Sequence, residues 1–187
     1  MPRAKAILQS DYPYQISARC INREWFFIPM DHVWDIFCEE LAATVKEYSL
    51  LVHSFVLMSN HFHLIVSTPE ANISKSMWYF MSRSSRRLTR AGNRINESFA
   101  GRHYKCVLAS HSYYLNAYKY NYRNPVTAGI CHRVEEYPYS TIRWQLNPEL
   151  MRFSMAEDTT FISDPVGTLA WLNTAPDPAK LKAVRCG

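Results

Sequence analysis

Apolar residues recur along the chain with two different periods, and the order of those periods predicts its architecture. Tyr14 to Asn22 is rich in β-formers (Tyr14, Ile16, Cys20) and reads as a first strand. Arg23 to Met30, with Trp25, Phe26, Phe27 and Pro29, reads as irregular. Trp34, Phe37, Cys38, Leu41, Val45 and Tyr48 then return at helical spacing, which predicts a helix over roughly 32–49 with Asp31 as its cap. Leu50 to Met58 is a second β-rich run. A tight break at Ser59-Asn60 joins it to a third strand over His61–Thr68, and so short a link predicts a hairpin. Ser74 is placed to cap a second helix from about Lys75 to Arg94, with Met77, Met81, Leu88, Ala91 and Ile95 on one stripe. Gly92 to Gly101 reads as a loop. His103 to Ala109 alternates Tyr104, Cys106 and Leu108 with Lys105 and Val107, as a fourth strand does. Ser110 or Ser112 can cap a third helix that runs to about Asn124, where Pro125 closes it.

This order, β-α-β-β-α-β followed by a helix, predicts an α+β fold. It is the ferredoxin-like arrangement: an antiparallel sheet with helices on one face, plus a C-terminal helix that carries the tyrosines. Residues 1–13 form a basic lead-in, 14–144 the folded domain, and 145–187 an irregular C-terminal extension of weak periodicity. No internal repeat or low-complexity segment is present.

Composition narrows the class. The chain has 187 residues, 48% of them hydrophobic, enough for one core. A net charge of +5 favours an anionic partner, nucleic acid first. The cysteines, Cys20, Cys38, Cys106, Cys131 and Cys186, are scattered and contain no Cys-x-x-Cys, which argues for a reducing compartment without a disulfide framework. No long apolar segment follows the N-terminus, so neither a signal peptide nor a membrane span is expected, and the cytoplasm is the expected location.

Candidate chemistry sits on the third strand and the third helix. In an extended strand His61, His63 and Ile65 share one face, while Phe62, Leu64 and Val66 share the other. Two imidazoles on bases roughly 7 Å apart can lean together onto one metal ion. The third helix carries Tyr113, Tyr114, Tyr118, Tyr120 and Tyr122, then Asn124. Tyr120 and Asn124 are four apart and share a face, but so are Tyr118 and Tyr122, so spacing alone does not single out Tyr120. If the Tyr120 face looks onto the histidines, two imidazoles and an amide oxygen could hold a divalent cation, Mg²⁺ or Mn²⁺ by donor type. A phenol one turn away could then attack what that cation activates. On the second helix Arg83, Arg86, Arg87, Arg90 and Arg94 line one face without an interleaved acid, a pattern suited to phosphates. Arg102 and Lys105 are further basic candidates.

Two stretches resemble a known family. Met58-Ser59-Asn60-His61-Phe62-His63-Leu64 resembles the His-hydrophobic-His motif of HUH endonucleases. Tyr120-Asn121-Tyr122-Arg123-Asn124-Pro125-Val126-Thr127-Ala128-Gly129 resembles the signature of single-tyrosine transposases, the REP-associated branch above all. Phe99-Ala100-Gly101-Arg102-His103-Tyr104-Lys105 and Glu136-Tyr137-Pro138-Tyr139-Ser140 fall where that family has similar stretches. The resemblance covers roughly residues 14–144. It implies a ferredoxin-like fold and cleavage of single-stranded DNA, with a hairpin, through a tyrosine linked to the 5′ phosphate. By position it implies Tyr120 as nucleophile and His61, His63 and Asn124 as metal ligands. It implies a nucleoid-associated protein when DNA is bound, and leaves a homodimer open. Asn121 is polar where the family is usually apolar, Thr127 stands where arginine is common, and Ser140-Thr141 replaces a usual Ser-Ser. Two rival readings are a single-strand-binding module without chemistry and a His-x-His metallohydrolase, whose nearest base would be Glu70.

Overall fold

In the computed structural model, which describes residues 8–95 and 98–175, the predicted elements appear in the predicted order. Residues 1–7 of the lead-in and 176–187 of the extension lie outside the described residues. Strand β1 (Tyr14–Arg19) is followed by helix α1 (Met30–Tyr48), the hairpin β2 (Leu51–Leu57) and β3 (His61–Ser67), helix α2 (Ile73–Ala91), β4 (Tyr104–Val107) and helix α3 (His111–Thr127). The sheet order is β2-β3-β1-β4, and every neighbouring pair is antiparallel. β1 and β2 therefore run parallel with β3 between them, the split βαβ of the ferredoxin-like fold.

Register assigns each face of the sheet to a different layer. Ala18, Ile16 and Tyr14 sit opposite Phe62, Leu64 and Val66. These side chains meet Phe37, Leu41, Met77 and Phe80 of α1 and α2 in one core. Ile65 and Val56 point the other way, into a second core with Ala117, Tyr118 and Tyr122 of α3. Both faces of β3 are thus covered, and His61 and His63 lie on the α3 side.

Helix ends depart from the expected caps. α1 begins at Met30 after Pro29, so Asp31 lies in its first turn and accepts a bond from the Tyr139 hydroxyl at 2.9 Å. Asn72, not Ser74, precedes α2. Ser110 does cap α3, accepting from Tyr113 N at 3.2 Å. Pro125 does not close α3 but sits inside it. A proline lacks only its own N–H and constrains the residue before it; here the chain stays helical for two more residues. It stops at Gly129, whose φ of 70° is left-handed. Gly129 N donates to Val126 O and Ile130 N to Pro125 O, both at 3.0 Å, the paired bonds of a Schellman ending.

The segment expected to be an irregular extension carries helices and packs on the domain. Beyond α4 (Ile142–Leu146) come α5 (Thr159–Ser163) and α6 (Pro165–Asn173). Residues 137–141 lie along the outer edge of β2: Leu57 N donates to Tyr139 O at 2.9 Å and Phe55 N to Thr141 Oγ1 at 2.9 Å. Phe153 joins the α1/α2 core beside Trp144. Asp158 accepts from the buried Tyr118 hydroxyl at 2.6 Å and caps α5 through Phe161 N at 3.0 Å. Arg123 of α3 donates to Leu172 O at 2.8 Å, and Lys119 lies over the Trp171 ring at 4.9 Å. No helix among the described residues is long and apolar enough to cross a membrane.

Asp158→Ala should remove a helix cap, worth about 1 kcal/mol, and strand the buried Tyr118 hydroxyl, worth about 1–3 kcal/mol. Urea unfolding should show a loss of about 2–4 kcal/mol from the two together. A change below about 0.5 kcal/mol, the size of an ordinary surface substitution, would mean that this segment is not part of the cooperative unit.

Candidate active site

Two histidines and two residues of α3 meet on the second face of the sheet. His63 faces Ser17 and Val56 across its neighbouring strands, and His61 faces Arg19. Their ring centroids are 5.0 Å apart and nearly perpendicular. The Tyr120 ring lies edge-on to His63 at 5.3 Å. One turn on, the Asn124 amide reaches His63 Nε2 at 2.7 Å. The expected convergence of His61, His63, Tyr120 and Asn124 is therefore present. Arg83, Arg86, Arg87 and Arg90 lie on α2, which packs on the opposite face of the sheet.

A polar clamp sets α3 over these histidines. Gln15 of β1 and Asn121 of α3 form a reciprocal amide pair: Gln15 Nε2 donates to Asn121 Oδ1 at 2.8 Å, and Asn121 Nδ2 donates back to Gln15 Oε1 at 3.1 Å. Asn121 Nδ2 also reaches Ser54 Oγ of β2 at 3.3 Å. Both amides are buried. Asn121 is next to Tyr120 in the chain, so this pair fixes the rotation of α3 that aims Tyr120 at His63. The polar residue at 121, a departure in the sequence, has its reason here. Gln15 is polar in a strand whose partner lies 106 residues away, so no local pattern reveals the pair.

The other tyrosines of α3 are occupied. The Tyr118 hydroxyl is held by Asp158 and that of Tyr122 by Thr141 Oγ1 at 3.1 Å. Burial raises the pKa of both phenols, so neither is poised to ionise. Tyr113 contacts Cys106 Sγ at 3.6 Å, and Tyr114 packs on His53. Tyr120 is half-buried, with its ring against His63. The tertiary structure thereby separates two i, i+4 pairs that spacing left equal.

The histidines are suited to ligation. Burial, with Arg19 adding to it, lowers the His61 pKa to about 4. Burial, His61 and Arg19 lower that of His63 to about 3. Both imidazoles are thus neutral at physiological pH, as metal ligands must be. His63 Nδ1 is buried without a hydrogen-bond partner among the described residues, while Nε2 points at the Asn124 amide. Which amide atom of Asn124 faces the ring is set by the hydrogen-bond network, and a half-turn brings Oδ1 there. Among the described residues no group of three or more His, Cys, Asp or Glu could hold a metal. A divalent ion would therefore rely on the two imidazoles and the Asn124 amide oxygen, a mixed donor set that fits a Mn²⁺-type ion.

The arginines of α2 do not form an unpaired row. Arg83 and Arg87 both engage Glu40 of α1, Arg87 at 3.0 Å, and Arg87 also reaches Glu39 at 2.6 Å. Glu40 is 2% exposed, so this cluster ties α1 to α2. Arg94 lies past the end of the helix, 3.5 Å from Glu24 and 3.4 Å over the Phe27 ring. Ile95, expected in the core, is 99% exposed for the same reason. Arg86 and Arg90 are exposed, and Arg86 Nε donates to Ser82 O of its own helix, 3.2 Å away. Arg102 is exposed, while Lys105 leans onto Ser74 Oγ at 3.3 Å. The acids missing from α2 come from α1, a supply invisible to any reading of one helix. α2 also lies on the face of the sheet away from Tyr120.

Comparison with known proteins bears on the family and the fold. Residues 9–130 match the sequence profile of a family described as "Transposase IS200 like". No curated protein matches the chain. A solved REP-associated tyrosine transposase, bound to a REP hairpin, superposes with a TM-score of 0.67 at 15% identity, covering 85% of this chain and 94% of that one. It shows the same fold. A putative transposase from Deinococcus radiodurans R1 gives a TM-score of 0.43 at 14% identity, over 62% of this chain and 92% of that one.

Asn121→Ala should strand the buried Gln15 amide, at about 1–3 kcal/mol, and so should Gln15→Ala for Asn121. A double-mutant cycle should return a coupling of about 0.5–3 kcal/mol. Strict additivity would mean that the two amides do not hold α3 to the sheet.

Proposed function

The chain belongs to the IS200-like transposase family, and from that membership we propose that it nicks and joins single-stranded DNA through a covalent 5′-phosphotyrosine at Tyr120. The observation that supports this most is the placement of Tyr120 and Asn124 on one imidazole, His63, while Tyr118 and Tyr122 are committed to structural bonds. The Tyr120 oxygen forms a bond to phosphorus and gives up its proton. The bond from phosphorus to the 3′ oxygen breaks, and that oxygen leaves with a proton as a 3′ hydroxyl. The same exchange run backwards, with a different 3′ hydroxyl attacking the phosphotyrosine, joins strands.

His61, His63 and Asn124 are the residues that would hold Mg²⁺ or Mn²⁺. Such an ion would supply Lewis-acid polarisation of the scissile phosphate, which a phenol needs to act near neutral pH. The protein's own part is positioning. The Gln15–Asn121 pair and the β3 register bring nucleophile and ligands to one point, and the low imidazole pKa values keep ring lone pairs open. The REP hairpin bound by the structural neighbour supports a hairpin in the substrate. Arg86 and Arg90, which have no acid across from them in the α1–α2 cluster, are the residues of that helix best placed to hold phosphates; Arg102 and Lys105 are further candidates. Arg83, Arg87 and Arg94 would act mainly in packing. Residues 14–144 with the packed segment up to 175 would form one working unit. Glu70 is bonded to Ser49 and Asn72 beyond the far end of β3, so it offers no base for a water-activating hydrolase.

Single-stranded oligonucleotides carrying a hairpin, incubated with Mn²⁺ and run on a denaturing gel, test the reading. Wild type and Tyr118→Phe should give a protein–DNA adduct, and Tyr120→Phe none, with DNA binding kept. Excess EDTA, His61→Ala or His63→Ala should each abolish the adduct. Adduct formation by Tyr120→Phe would move the nucleophile elsewhere. No adduct from wild type would favour a binding module.

Replacing Arg86 and Arg90 together with alanine should weaken DNA binding for all sequences. It should also flatten the salt dependence by about 1.4, at about 0.7 for each single-strand phosphate that is no longer neutralised. An unchanged slope would make them a solvated face.

A further inference from the structure

Asn60 stands between the loop after β1 and the ring of His61, and its two amide atoms have partners of different kinds. Nδ2 lies 2.8 Å from the Arg23 carbonyl oxygen, which can only accept. That contact fixes the amide nitrogen on the loop side and leaves Oδ1 toward the imidazole. Oδ1 is 2.7 Å from His61 Nδ1. An amide oxygen only accepts, so Nδ1 must be the nitrogen that carries the ring proton. In an imidazole with one ring proton the lone pair is then on Nε2.

The Arg23 carbonyl is itself held in place. Asn22 and Arg23 have φ values of 55° and 60°, two consecutive left-handed residues, neither of them glycine. L side chains rarely adopt that backbone, and it persists where the surroundings over-determine it. Here they do. Cys20 N donates to Asn60 O at 2.8 Å, Phe26 N to Ser59 O at 2.9 Å, and Ile21 N to Ser98 O at 3.1 Å. The strained loop is thereby fastened at both ends to the turn that precedes His61. His63 has no comparable brace, because its Nδ1 has no partner.

We infer that Asn60 is a positioning residue: held by the Arg23 carbonyl, it keeps His61 as the Nδ1–H tautomer and leaves Nε2 as the ligand atom. The consequence for a metal rests on the proposed function; the tautomer itself rests on hydrogen-bond geometry alone. Groups that orient a ligating histidine in this way typically change metal affinity by about 10–100-fold when removed.

Proton–nitrogen correlation spectra of the metal-free protein at neutral pH read the tautomer, and calorimetry with Mn²⁺ reads the consequence. In wild type the His61 proton should sit on Nδ1. Asn60→Asp, which keeps an acceptor, should preserve that tautomer. Asn60→Ala should move proton population to Nε2 and weaken Mn²⁺ binding by about tenfold or more. A wild-type His61 protonated on Nε2 would overturn the inference, and so would an Asn60→Ala variant with unchanged tautomer and affinity. If Asn60→Ala does not fold, the wild-type and Asn60→Asp spectra decide. A wild type with the Nδ1–H tautomer but no Mn²⁺ binding would sink the metal site while upholding the role of Asn60.

Discussion

Strand β3 is buried on both faces, and its register is the constraint on which the rest depends. Phe62, Leu64 and Val66 close the core under α1 and α2, so His61 and His63 have only the α3 side available. A slip of one residue would exchange the two sets. It would put imidazoles into an apolar layer and aromatic and aliphatic side chains against the clamp residues. Folding the core and presenting the histidines are therefore one event.

The third helix must then be set at one rotation, and the protein does this with polar contacts. On the sheet side the buried Gln15–Asn121 pair satisfies two amides that would be costly to leave unpaired. On the outer side Asp158, Trp171 and the Leu172 carbonyl take up Tyr118, Lys119 and Arg123. Apolar packing alone tolerates small rotations, whereas paired amides have directional partners. Positions 118 and 122 are consumed by this scaffolding, which leaves 120 and 124 on the face toward His63. Residues 158–172 serve the same end, bracing the helix from behind.

Charge is used twice in this chain, for different purposes. Glu40, almost fully buried, needs cations, and Arg83 and Arg87 supply them across the α1–α2 interface. Breaking a buried pair by removing one partner leaves an uncompensated charge, so these arginines are tied to the fold. Among the described residues, Arg86 and Arg90 are exposed and lie outside this cluster. The net charge of +5 is thus no count of the cations that a nucleic acid can meet.

Much of the architecture was legible in local pattern, because burial imposes a period of two on a strand and 3.6 on a helix. The element order, the split of β3 into two faces and the pairing of His61 with His63 all follow from that. The resemblance of two short motifs was enough to point to the family. Local pattern could not tell Tyr120 from Tyr118, since both pairs have the same spacing; the bonds of Tyr118 to Asp158 and of Tyr122 to Thr141 set that pair apart. It also misjudged Pro125, which the helix absorbs, and the arginine face, whose acids sit on another helix. Local pattern did not give the contacts of Asn60, Gln15 and Asp158. Their partners are far away in sequence or depend on a backbone turn, and only the folded chain brings donor to acceptor.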